Sequence, residues 1–155
     1  MKIAQLMNAP VSCGREHTLN HAAQLMWDHC LGFLPVLDSD EHIVGVITDR
    51  DICMAAYTQG KLLRDIVVDT TMARSVFSCR AEDNVIAAEK TMQERQVRRL
   101  PVVDAEATLV GIVSLDDLAR QAAADRASRA PAVKLADVGE TLAAICQPRA
   151  PTATA

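Results

Sequence analysis

Aromatic side chains are scarce in this sequence: two Phe, one Trp and one Tyr among 155 residues. The core must therefore be built mainly from aliphatic and sulfur side chains. A basic excess is also missing. Sixteen Lys and Arg stand against 20 Asp and Glu, a net charge of −4, which argues against a nucleic-acid partner with its clustered basic surface. No window approaches the roughly 18 uninterrupted apolar residues of a membrane span, so no membrane partner is expected. Met1-Lys2-Ile3-Ala4-Gln5 lacks the apolar run of an export signal.

The five cysteines form no C-x-x-C pair, and an odd count without an export signal reads as reduced thiols in a cytoplasmic chain. Cys13 and Cys79 each end a short apolar stretch and read as small buried hydrophobes, with thiol signalling as the rival reading. His17 and His21 have helical i, i+4 spacing but no third ligand, so they read as solvent-facing and no metal site is expected. No Gly-rich phosphate loop and no Ser/His/Asp or Cys/His cluster is present, so an enzyme is not expected.

What is there is said twice. Leu34-Pro35-Val36-Leu37-Asp38 followed by Gly45-Val46-Ile47-Thr48-Asp49-Arg50-Asp51-Ile52 returns as Leu100-Pro101-Val102-Val103-Asp104 followed by Gly111-Ile112-Val113-Ser114-Leu115-Asp116-Asp117-Leu118, at a constant offset of 66 positions. Two copies in register imply two similar units facing each other, with a cleft of matching chemistry between them. With 50% hydrophobic residues there is apolar mass for a core, but a copy of about sixty residues is marginal alone. Each is expected to bury its apolar face on the other.

Each copy reads as β-α-β-β-α. A first strand is expected at Pro10-Val11-Ser12-Cys13 and at Ser75-Val76-Phe77-Ser78. Leu19, Ala22, Ala23, Met26 and Cys30 make a helical stripe, matched by Val85, Ala88 and Met92 with Asp83 or Asn84 as N-cap. Val36-Leu37 and Ile43-Val44-Gly45-Val46-Ile47 flank a polar turn and read as a hairpin, with Pro35 and Pro101 confined to strand starts or edges. A second helix follows Thr48 and Ser114. Leu62 to Met72 reads as a connecting helix, matching Ile3 to Met7 with one residue inserted. Trp27 and Tyr57, lone aromatics on the first copy's helices, are expected in the core, with a dimerising helix face as the alternative.

The fold class is thus α/β (α+β): two repeats, residues 1–60 and 61–124, packed with pseudo-twofold symmetry, and a linker and tail at 125–155. Within the tail, Leu135 to Cys146 reads as a short amphipathic helix despite Gly139, and the stretch from Pro148 onward as disordered.

Thr48-x-x-Asp51 and Ser114-x-x-Asp117 open helices straight after apolar strands. Taken alone they are capping boxes, with a hydroxyl at the N-cap and an acid at N3. In context, Gly, two apolar residues, then Ser/Thr-x-x-Asp after an h-Pro-Val strand, the pattern resembles the CBS domain, and the pair resembles a Bateman module, over about residues 1–124. The resemblance implies an adenosine-nucleotide site. Asp51 and Asp117 would accept ribose hydroxyls, since a carboxylate's two oxygens suit a vicinal diol. Thr48 and Ser114 would line the sugar and phosphate, while Gly45 and Gly111 allow close backbone approach. The base would lie against Val11, Ser12, Val36 or Ile47, and Val76, Phe77, Val102 or Val113.

The copies differ before their Leu-Pro. Arg98-Arg99, with Arg95 near, stands where the first copy has Gly32-Phe33 and His29. The resemblance implies arginines reaching ligand phosphates; a solvated basic turn is the alternative. Phe33 either stacks on adenine or plugs the cleft. The implied function is a free-standing regulatory module that senses AMP, ADP, ATP or S-adenosylmethionine, with or without Mg, and acts on an unknown partner or on its own assembly. It would be a homodimer, with no room left for an attached catalytic domain. The alternative is a structural CBS dimer that binds no nucleotide.

Overall fold

The computed structural model describes residues 1–148; the expectation for the stretch beyond Pro148 falls outside the described residues. Two three-stranded sheets repeat one pattern. In the first, β1 (Cys13–Gly14) runs parallel to β2 (Phe33–Leu37), which is antiparallel to β3 (Ile43–Thr48). In the second, β4 (Cys79–Arg80), β5 (Arg99–Val103) and β6 (Leu109–Ser114) do the same. Helices α1 (Leu19–Asp28) and α2 (Asp49–Gln59) serve the first repeat, and α3 (Val85–Arg95) and α4 (Leu115–Ala124) the second. The mixed α+β class and the doubled unit are as the sequence implied.

Local chemistry explains the repetition. Thr18 and Asn84 cap α1 and α3, accepting from the His21 and Ala87 N–H groups. The hairpin turns are identical. Asp38 Oδ1 accepts from the Asp40 and His42 N–H groups at 3.0 and 2.9 Å, and Asp104 Oδ1 from those of Glu106 and Thr108 at 3.0 and 2.8 Å. These Asx turns hold the register through a bulge in each ladder.

Pro35 and Pro101 lie mid-strand, in the central strand of each sheet, not at a start or an outer edge. The ladder geometry permits it. Val46 and Ile112, which face the two prolines, turn their own N–H and C=O groups the other way, so these are non-hydrogen-bonded pairs. On the proline's other side, pairing with β1 and β4 begins only one residue later.

The groups that turn away meet a cross-connection. Ile112 exchanges hydrogen bonds of 2.9 and 3.0 Å with Asn8, and Val46 exchanges two of 2.9 Å with Ala73. The segment leading into each repeat is thus laid on the other repeat's sheet. Ile3 belongs to the second core with Leu100, Val113 and Leu118, while Ile66, Val68 and Met72 belong to the first with Leu19, Leu34 and Ile47. The expected connecting helix over Leu62 to Met72 is instead two short 3-10 turns, Leu63–Asp65 and Val68–Thr70. Its backbone groups bond across to the first repeat: Val68 N–H to His17 O, Asp69 N–H to Arg15 O and Ile66 O from Leu19 N–H. Tertiary partners outcompete helical ones there. The first strands are shorter and later than expected, at Cys13–Gly14 and Cys79–Arg80, because only these residues reach Val36 and Val102 in register.

The last helix, α5 (Leu135–Ile145), lies against α3 and α4. Val133 and Val138 enter the second core. Gln93 Nε2 donates to Thr141 Oγ1 at 2.8 Å, and Gln96 Nε2 donates to the Gln147 carbonyl at 2.9 Å. Glu89 of α3 is buried here, and its Oε1 has no hydrogen-bond partner among the described residues. Burial pushes its carboxyl above the usual range, and Asp137 of α5 adds to this. The folded state therefore holds this proton more tightly than the unfolded chain does. Its stabilising contribution is complete below the ordinary Glu pKa and is lost as pH rises. Glu89→Gln is expected to raise stability at pH 7.5 by about 1 kcal/mol and to do so less at pH 5, read from urea unfolding at both pH values.

Candidate cleft between the repeats

Thr48 and Ser114 do cap their helices. Thr48 Oγ1 accepts from the Asp51 N–H at 3.2 Å, and Asp51 Oδ2 accepts from the Thr48 N–H and hydroxyl at 2.9 and 2.7 Å. Ser114 and Asp117 repeat this box, Asp117 Oδ2 taking the Ser114 N–H and hydroxyl. One oxygen of each aspartate is thereby committed. The other separates the copies. Asp117 is 5% exposed, and its Oδ1 accepts from Asn8 Nδ2 at 2.8 Å and from the Arg120 guanidinium. Among the described residues, Asp51 Oδ1 accepts no hydrogen bond.

Asp51 also faces the open space. A cavity of about 1080 Å³ lies between the repeats, lined by Thr48, Asp49, Arg50 and Asp51 from the start of α2 and by Phe77, Arg98, Arg99 and Pro101 from the second repeat. Phe33, Val46 and Ala73 form further wall, and Ile145 closes one side. Arg98 is exposed; Arg99 is half-buried, 3.7 Å from Asp116, a surface pair that a stronger anion displaces at little cost. The Arg95 guanidinium stacks over the Phe77 ring at 4.9 Å.

Of the residues singled out from sequence, Thr48, Asp51, Phe77, Arg98 and Arg99 therefore converge on one cleft. Ser114 and Asp117 do not line it. Val36, Val102, Ile47 and Val113 are wholly buried in the two cores, which removes them as base contacts: they point to the packed face of their sheets. Val11 and Val76 lie outside the strands and are half-buried away from the cavity, Val11 packing on the first core. Gly45 and Gly111 serve the chain crossing. A Cβ on Gly45 would stand 2.5 Å from Met72 Sδ and 3.0 Å from the Ala73 carbonyl; on Gly111 it would stand 2.6 Å from Met7 Sδ and 3.1 Å from the Asn8 carbonyl. Sequence reading missed Asn8 and Arg120, which no motif marks, and Ile145.

Burial pushes the Cys13 thiol up to about 11 and the Cys79 thiol up to about 12, so both are protonated at neutral pH and poor nucleophiles. Asp38, Asp40 and His42 are the one group of His, Cys, Asp and Glu among the described residues close enough to share a metal ion, and they sit on the first hairpin turn away from the cleft. His17 Nδ1 accepts from the Gly14 N–H at 3.1 Å and its ring meets His21 edge-on. No helix of the described residues is long and apolar enough to cross a membrane.

Two β-α-β-β-α units with exchanged lead-in segments and a cleft at the starts of their late helices define a duplicated, cleft-forming module. The CBS domain model matches residues 3–57 and 63–124, and the chain belongs to the CBS domain family. Hypoxic response protein 1 of Mycobacterium tuberculosis is 38% identical over 116 residues, 74% of this chain and 80% of that one. The solved structure of Hypoxic Response Protein I, with two coordinated zinc ions, has a TM-score of 0.69 at 35% identity, covering 77% of this chain and 98% of that chain. The CBS domain protein PAE2072 from Pyrobaculum aerophilum, complexed with AMP, has a TM-score of 0.69 at 25% identity, covering 76% of this chain and 90% of that one. The CBS domain pair of protein MJ0100, in complex with 5′-methylthioadenosine and S-adenosyl-L-methionine, has a TM-score of 0.68 at 26% identity, covering 77% and 98%.

Proposed function

We propose that this chain is a regulatory, non-catalytic module that binds one adenosine-containing ligand per chain (AMP, ADP, ATP or S-adenosylmethionine) in the Asp51 cleft. The observation that carries this reading is the asymmetry of the two aspartates: Asp51 Oδ1 has no partner among the described residues and lines a cavity, while Asp117 Oδ1 is held by Asn8 and Arg120. Asp51 accepts the ribose hydroxyls and Thr48 flanks the sugar. Phe77 and Phe33 offer the ring faces for adenine. Solved CBS domain proteins complexed with AMP, 5′-methylthioadenosine or S-adenosylmethionine support the ligand class.

The phosphate position follows from charge. Asp49 and Asp51 already place two carboxylates in the first turn of α2, so an anion is repelled from that helix start and drawn to Arg98 and Arg99 across the cleft. The ligand then bridges the first repeat, through Thr48 and Asp51, to the second, through Phe77 and the arginines. Any state that closes this gap binds better, and that differential affinity is what a sensor transmits to a partner or to its own homodimer. Mg, where present, rides on the ligand's phosphates.

Calorimetry with AMP and with adenosine tests the assignment. The arginine variants Arg98→Ala and Arg99→Ala are expected to weaken AMP about tenfold or more, one charge-assisted hydrogen bond being worth about 1.5–3 kcal/mol, and to leave adenosine unchanged. Equal losses for both ligands would remove the arginines from the phosphate site. The second reading, a structural module without ligand, is what the sealed Asp117 box illustrates; no heat with any adenosine ligand would favour it.

A further inference from the structure

The helical face of the second repeat is covered by α5, and its counterpart on the first repeat is open. Between α1 and α2 runs a mainly apolar groove of about 610 Å³, lined by Ala23, Met26, Trp27, Cys30, Leu31 and Ile52, with Asp49 as its one acid. Shifted by 66 positions, these are Glu89, Met92, Gln93, Gln96, Val97 and Leu118, the surface on which α5 lies. Even the backbone agrees: Cys30 and Gln96 both have positive φ, 53° and 51°. The groove is therefore shaped for a helix. Its chemistry has been changed, because the two glutamines that bond to α5 are replaced by Trp27 and Cys30, and the buried Glu89 by Ala23. Trp27 is 82% exposed, the reverse of the core position expected for it, and Tyr57 on α2 is 81% exposed. The helix that fits must present an apolar face.

One such face is present on the chain itself. The side of α5 turned away from α3 and α4 carries Leu135, Gly139, Leu142, Ala143 and Cys146, all exposed, at i, i+4, i+7, i+8 and i+11. Leu135 is 53% exposed and Leu142 45%. Gly139 sits mid-helix, where glycine costs about 1 kcal/mol relative to alanine, and nothing in its own chain lies within 4 Å of where its Cβ would be. A notch that its own chain leaves empty suits a bulky side chain from elsewhere. The α5 helix cannot serve its own groove, because its inner face is held on the second repeat.

We propose that the α1–α2 groove of one copy seats the outward face of α5 from a second copy, and that the contact occurs twice about a twofold axis. The proposal rests on the homodimer in the functional reading above and names its interface. Trp27 meets the strip around Gly139, with Leu135 and Leu142 on either side filling the groove over Met26, Leu31 and Ile52. Groove-to-groove pairing would leave Leu135 and Leu142 in water; this pairing buries both apolar surfaces and closes on itself.

Sedimentation velocity from 1 to 100 µM on the full chain tests it. Trp27→Glu and Leu142→Glu change exposed residues, so each variant is expected to keep the wild-type far-ultraviolet circular dichroism and to dissociate at least about a hundredfold more readily. The discriminating sample is an equimolar mixture of the two. The Trp27→Glu copy keeps a sound α5 and the Leu142→Glu copy a sound groove, so one complete contact survives and heterodimers reappear at high concentration. If Leu142→Glu pairs as tightly as wild type while Trp27→Glu does not, the grooves face each other and the proposal is overturned. If the mixture stays monomeric at the top of the range, it is also overturned. A monomeric wild type would instead overturn the homodimer reading, and the proposal with it.

Discussion

Asp51→Ala abolishes the melting-temperature rise given by saturating AMP, and Asp117→Ala preserves it while lowering the stability of the unliganded protein. This opposed pair is the expected result of a thermal-shift series on the two variants, and it follows from where each second oxygen goes. Ligand at a hundredfold above its dissociation constant stabilises by about 2.7 kcal/mol. On the proposed reading the uncommitted Oδ1 of Asp51 accepts from both hydroxyls of the diol, each charge-assisted hydrogen bond being worth about 1.5–3 kcal/mol, so its removal takes the affinity below the range that shifts a melting curve. The unliganded cost is small, since Thr48 still caps α2. Asp117 is buried and satisfies the Ser114 N–H and hydroxyl, Asn8 Nδ2 and the Arg120 guanidinium at once. Its loss leaves the buried N–H and hydroxyl of Ser114 without their acceptor, at a cost of about 1–3 kcal/mol for the unpaired groups. A reversed pattern, with binding lost in Asp117→Ala and kept in Asp51→Ala, would move the ligand to the other half of the molecule.

Valine at Gly45 or at Gly111 is expected to lower stability by about 1–3 kcal/mol, measured by urea unfolding, without touching a ligand contact. A Cβ at either position meets a methionine sulfur, which can swing aside, and a carbonyl of the crossing segment, which cannot without breaking the Ala73–Val46 or Asn8–Ile112 pair. Alanine already asks the methionine to yield and the carbonyl to give by a few tenths of an ångström. The two extra methyls of valine press on the backbone itself, so the loss should grow steeply from alanine to valine. Loss of AMP affinity in Gly45→Val larger than its loss of stability accounts for would return this glycine to the binding site.

The doubled architecture was legible because it is written in local chemistry: Leu-Pro-Val strands, Asx turns at Asp38 and Asp104, and capping boxes at Thr48 and Ser114 all recur in register. Arg98 and Arg99 could be picked out as the place where the copies disagree, and Phe77 as a residue of the expected first strand. The rest depends on contacts far apart in sequence. Asn8 lies 109 residues from Asp117 and belongs to no motif, so the closure of one aspartate was invisible until the chain crossing was seen. Val36 and Val102 misled because a strand's alternation does not say which face meets a ligand and which meets the core. Trp27 and Tyr57 misled because large aromatics usually pack inward. For the tail, amphipathic spacing predicted a helix over Leu135 to Cys146, observed at Leu135–Ile145, while nothing in that spacing named its seat on α3 and α4.

Each lead-in segment guards the other half's outermost strand. Asn8 and Ala73 cap the middle of β6 and β3 with paired hydrogen bonds, where an exposed strand edge would otherwise recruit a neighbouring chain. Trimming the first eight residues would therefore uncover sticky β6 backbone around Ile112, and self-association into insoluble material would precede any loss of the first repeat's own packing.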